Sequence, residues 1–82
     1  MTKTTIYIIS TERFGESQFV FDDKFKLIDG WQRNDADYRD EYMSGFLKHL
    51  GIQVKKSLPA SQDANKLMKA AAMKLWGIED DE

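Results

Sequence analysis

The chain has 82 residues, of which 41% are hydrophobic and 12% aromatic, a composition that fits one globular domain with a thin core, because so short a chain buries only about 60% of its unfolded surface. It has no cysteine and a single histidine, His49, which excludes disulfides, thiolate catalysis, cysteine-ligated zinc or iron–sulfur centres, and a multi-histidine metal site within one chain. The net charge of −2 argues against a nucleic-acid partner when taken alone, although local clusters bear on that question more than the total does.

Residues 4–10 (TTIYIIS) are β-branched and aromatic, and the unbroken apolar run predicts a strand buried on both faces. Residues 11–16 form a loop with Gly15 as its turn residue. Residues 18–21 (QFVF) are a second run, Asp22-Asp23-Lys24 a polar turn, and residues 25–28 (FKLI) a third run stopped by Asp29-Gly30. Three short strands with compact connections predict an antiparallel meander.

A helix starts at Asn34 or Asp35, where Asp35 and Asp37 favour the positive end of its dipole. Tyr38, Tyr42, Met43, Phe46, Leu47 and Leu50 recur at helical spacing. Gly51 suits the left-handed cap position, from which Ile52 can fold back on the last turn. Residues 52–56 (IQVKK) alternate and leave room for a short fourth strand, an edge guarded by lysines. Pro59 breaks the chain, Ser61 caps a second helix running to Trp76, and Gly77-Ile78 repeats the glycine-isoleucine stop. The expected fold is a small two-layer α+β domain of order βββα(β)α, with both helices on one face of the sheet. No apolar run approaches the roughly 20 residues of a membrane span. Residues 1–6 lack the features of a secretory signal, so the expected location is the cytoplasm.

Charge is strongly segregated. Residues 22–41 carry four basic and seven acidic groups. Residues 42–78 carry six lysines against one acid, Asp63. The last four residues, Glu79-Asp80-Asp81-Glu82, are all acidic and read as a frayed tail.

Catalytic constellations are weak. A triad built on His49 with Ser44 or Ser57 has no Gly-x-Ser-x-Gly elbow, and His49 in a last helical turn is explained by the dipole. Paired carboxylates at Asp22-Asp23 and Asp35-Ala36-Asp37 lack the phosphate-binding loop that magnesium chemistry needs, and a turn and a cap account for them. Arg39 points into the first helix's apolar stripe, where either its stem packs while the guanidinium pairs with an acid such as Asp29, or it reaches past the core's edge to solvent. No enzyme, metal or cofactor is expected.

The second helix is more informative. Ala64, Leu67, Met68, Ala71, Leu75 and Ile78 make its core stripe, whereas Ala72, Met73 and Trp76 fall outside it, with Lys69 between Met73 and Trp76. Tryptophan and methionine on a solvent side form an anchor patch for another protein. Trp76 could instead fold over the helix end against the sheet. Alanines 70, 71 and 72 allow close approach and hence a homodimer through this helix. A second candidate surface is the acidic run of Asp35, Asp37, Tyr38, Asp40 and Glu41, which can imitate phosphate spacing. The leading expectation is a small protein-binding module, an inhibitor or regulator of a host enzyme or complex of the kind found in phage and mobile elements, a reading that rests on size and missing chemistry. The alternative is a nucleic-acid-binding module using Lys48, Lys55, Lys56, Lys66, Lys69 and Lys74 on phosphates, with Phe19 and Phe21 as possible base-stacking residues. Against it, the segment has no arginine for base reading.

Overall fold

The apolar run near the start of the chain becomes an inner strand of a four-stranded sheet. In the computed structural model, which describes residues 4–32 and 36–78 and the side chains of all of these except 36–42, the elements are β1 (Thr5–Thr11), α1 (Arg13–Glu16), β2 (Ser17–Phe21), β3 (Leu27–Gln32), α2 (Ala36–His49), β4 (Gln53–Lys55) and α3 (Ala64–Trp76). The strand order is β3-β2-β1-β4. Strands β1, β2 and β3 pair antiparallel, and β4 lies parallel to β1 with Ile6 opposite Val54. The sheet is therefore mixed rather than a pure meander. A parallel neighbour cannot be reached by a tight turn, and α2 supplies the crossover from β3 at one edge to β4 at the other. The domain is a small α+β fold.

The two-layer expectation is corrected. Ile6, Ile8, Val20 and Trp31 gather on one face with Leu47 of α2, joined by Met43, Ile52 and Val54. Tyr7, Ile9, Phe19 and Phe21 gather on the other with Met68, Ala71 and Ala72 of α3. The helices cover opposite faces and the sheet is the middle of three layers. The cause is in the strands: β1 and β2 have no polar face to turn to water, so each side needs its own cover.

The third strand runs through Asp29-Gly30 instead of stopping there. A bulge lets Leu27 face Phe21 while Asp29 faces Val20, and the strand continues to Gln32. Gly30 serves close approach: a Cβ there would stand 2.5 Å from Leu75 Cδ1 and 3.2 Å from the Gln18 carbonyl oxygen.

The turn between β2 and β3 is built by Asp22. Its Oδ1 accepts from the Lys24 and Lys26 amides, both at 2.9 Å, and its carbonyl accepts from Phe25 N at 3.0 Å. Phe25 takes the left-handed position usual for glycine, φ 65°. Its ring is held 5.4 Å from that of Tyr7. The short α1 departs from helical geometry at Phe14 and Gly15. The Phe14 carbonyl accepts from Ser17 Oγ and Gln32 Nε2.

Helix α2 ends as its Gly51-Ile52 pair predicts. Gly51 has φ 82°, its amide donates to the Lys48 carbonyl, and Ile52 N donates to the Leu47 carbonyl, each at 2.9 Å. Helix α3 starts later than predicted: Asp63, not Ser61, is the cap, its Oδ1 accepting from Lys66 N at 3.2 Å. Gln62 N donates to the Pro59 carbonyl at 3.0 Å, so Ser61 lies inside a turn.

Candidate functional site

Helix α3 is cut to its place at both ends, by Asp63 and by Gly77, whose φ is 67° and whose amide donates to the Met73 carbonyl. Between them its apolar arc is wider than the stripe read from sequence. Ala72, expected outside, is fully buried, and Trp76, read either as an outward anchor or as folded against the sheet, is half-buried with its ring 5.4 Å from that of Phe19. The reason is the aromatic face below: small Ala71 and Ala72 let α3 settle onto Tyr7, Phe19 and Phe21, which brings residues on both flanks of the stripe into contact. Those alanines are thereby committed to the sheet, and Ala70 alone of the three is exposed. Phe19 and Phe21 lie under this layer at 0% and 1% exposure, where no base can stack on them.

The outward side of α3 carries Met73, 44% exposed, with Lys66, Ala70 and Lys74 exposed and Lys69 half-buried. No acid occurs between Ala64 and Ile78. Beside this surface lies an open recess of about 140 Å³, lined by Phe21, Phe25 and Leu27 from the β2–β3 hairpin and by Leu67, Ala70, Ala71 and Lys74 from α3. Sequence reading singled out Met73, Trp76 and Lys69 but not this recess. Its walls come from segments about forty residues apart, and only the β2–β3 pairing and the seating of α3 bring them together. The one local signal was Phe25, an aromatic directly after a polar turn.

Other apolar groups are open to water elsewhere: Ile28 on β3 at 53%, Phe46 on α2 at 49% and Leu50 just after α2 at 58%. The six lysines do not gather on one side. Lys48 belongs to α2, Lys66, Lys69 and Lys74 belong to α3 on the opposite face, and Lys55 and Lys56 sit at the β4 edge. Lys56 Nζ donates to Ser44 Oγ at 3.0 Å. His49 is exposed in the last turn of α2.

Of the acidic run, Asp35 lies outside the described residues. Asp37, Tyr38, Asp40 and Glu41 lie on α2, with side chains outside what is described, as is that of Arg39. Among the described residues no three histidine or acidic side chains are grouped to hold a metal, and no helix is long and apolar enough to cross a membrane. Asp22 is held below the usual carboxylate range, chiefly by the Lys26 amide and then by the Lys24 amide, with the positive charges of both lysines adding to the effect.

Comparison with protein-family models, curated proteins and solved structures finds no match for this chain.

Proposed function

We propose that the chain is a non-enzymatic protein-binding module, an inhibitor or regulator of a host enzyme or complex, that docks its partner through the outward side of α3. The observation that carries this reading is the exposed Met73, among lysines on the side of α3 whose neighbouring Ala70 and Lys74 line an apolar recess. Methionine is enriched at interfaces, apolar yet adaptable in shape. Trp76 contributes at the rim, its ring already seated on Phe19, so Met73 is the cleaner probe.

The test is a tagged capture from the native host's lysate, with and without nuclease, using the wild-type chain and the Met73→Asp variant. A stoichiometric protein retained after nuclease and lost with Met73→Asp supports the reading. Loss of everything on nuclease treatment, with nucleic acid in the untreated eluate, overturns it in favour of the lysines. The nucleic-acid reading draws on the exposure of Lys48, Lys55, Lys56, Lys66 and Lys74 and requires binding that weakens steeply with salt.

A further inference from the structure

We infer that the recess between α3 and the β2–β3 hairpin is an anchor pocket for an acidic protein segment that inserts one apolar side chain, an inference that rests on the protein-binding reading. Three observations converge on that occupant. The first is size: the recess holds about 140 Å³, close to the roughly 150 Å³ at which an apolar cavity accepts a benzene ring. It therefore suits one leucine- or phenylalanine-sized group, and its open side leaves the rest of a ligand outside.

The second is lining. Phe21, Phe25, Leu27, Leu67, Ala70 and Ala71 offer no polar side chain to a phosphate or sugar, and Lys74 is the one charged group among the lining residues. The third is charge. Lys74 stands on the α3 wall with Lys66 two turns before it, and the hairpin wall carries Lys24 and Lys26 on either side of Phe25. Two nearby acids are each tied to the backbone through one oxygen: Asp22 accepts from the Lys24 and Lys26 amides and Asp63 from the Lys66 amide. Asp23 and Asp63 are the exposed acids here, against the four lysines. An apolar floor with a mostly cationic rim selects an apolar anchor flanked by carboxylates. The anchor supplies affinity, and the lysines supply orientation and encounter rate.

The test uses the intact chain as bait for a displayed library of random 12-residue peptides, followed by amide-shift mapping of the winning peptide. The expected winners carry one leucine or aromatic residue flanked by Asp or Glu, and shift amides within residues 21–27 and 67–74. Ala70→Trp, which fills the recess from its exposed rim, and Lys74→Glu, which reverses a rim charge, each weaken the peptide at least tenfold. Lys48→Glu on α2 leaves it unchanged. Having two variants guards against a folding defect in either one. Winners without acidic residues, shifts mapping to α2, affinity indifferent to both variants, or no enrichment at all would each overturn the inference. Competition by a single-stranded oligonucleotide that needs Lys48 would do so as well. If the lysate partner is captured equally by wild type and Ala70→Trp, the recess is dismissed while the protein-binding reading stands. If no protein is captured, the broader reading fails first.

Discussion

At Gly30 the sheet and α3 approach so closely that a Cβ would force a neighbour to move. A methyl group there meets Leu75 Cδ1 at 2.5 Å and the Gln18 carbonyl oxygen at 3.2 Å. Leu75 can rotate away but the strand backbone cannot, so Gly30→Ala is expected to cost about 1–3 kcal/mol, the usual range for overpacking. Urea unfolding checks this, and the Gly30→Ala, Leu75→Ala double variant should cost less than the sum of the singles, because the leucine's removal makes room for the methyl. Asp22 gives a second residue-scale prediction. Its carboxyl is held low in the folded chain by the Lys26 and Lys24 amides, so the folded state binds its proton less readily than the unfolded state does. The stabilisation is fully present above the ordinary carboxylate range and is lost as pH falls through it toward the lower folded value. Asp22→Asn should therefore flatten the acid limb of stability measured between about pH 5 and pH 2. A limb as steep as that of wild type would assign the acid sensitivity to other carboxylates.

At the scale of elements, both helix ends were legible and the start of α3 was not. Glycine followed by isoleucine marks both stops, because only glycine enters the left-handed position cheaply. The two close alike: after α2 the Gly51 amide donates to the Lys48 carbonyl and Ile52 N to the Leu47 carbonyl, and after α3 the Gly77 amide donates to the Met73 carbonyl and Ile78 N to the Ala72 carbonyl. The start of α3 was misread because Ser61 and Asp63 are both good caps by residue type, and a turn closed by Gln62 N on the Pro59 carbonyl takes up the serine. Asp63→Ala should then cost about 1 kcal/mol, while Ser61→Ala stays within about 0.5 kcal/mol. Thermal or urea unfolding of the two variants separates them, and the reverse order would restore Ser61 as the cap. The third strand was cut short for a related reason. Asp29-Gly30 carries the letters of a turn, but a bulge and a helix overhead can ask for the same letters. For the candidate site, Met73 and Lys69 were readable from helical spacing. The recess was not, since no local pattern tells which strand edge a helix will overhang.

For the molecule as a whole, the layer count was contained in β1 all along. A strand whose apolar run is unbroken, as it is over residues 6–9 of β1, needs cover on both sides, and placing both helices on one face contradicts that reading. The physical consequence is that β1 and β2 belong to two cores at once: Ile6, Ile8 and Val20 serve the α2 side, and Tyr7, Ile9, Phe19 and Phe21 serve the α3 side. Neither helix can leave without exposing one face of strands that the other still covers, so the two layers should unfold together. The chain has two tryptophans, and they divide between the layers. Trp31 lies in the α2-side core and Trp76 against the α3-side core. Trp31→Phe leaves Trp76 as the fluorescent reporter of one layer, and Trp76→Phe leaves Trp31 as the reporter of the other. Within each variant, the fluorescence and far-ultraviolet dichroism transitions in urea are expected to coincide. Their midpoints need not match, because Trp31 Nε1 donates to Gln18 Oε1 at 2.6 Å and Gln18 Nε2 to Ser10 Oγ at 2.8 Å. Losing the indole leaves a buried acceptor unpaired, so Trp31→Phe should lower its midpoint by the equivalent of about 1–3 kcal/mol. If Trp31 fluorescence changed before the dichroism did in Trp76→Phe, the α2 layer would be a separate cooperative unit, and sharing two strands would not be enough to couple the cores.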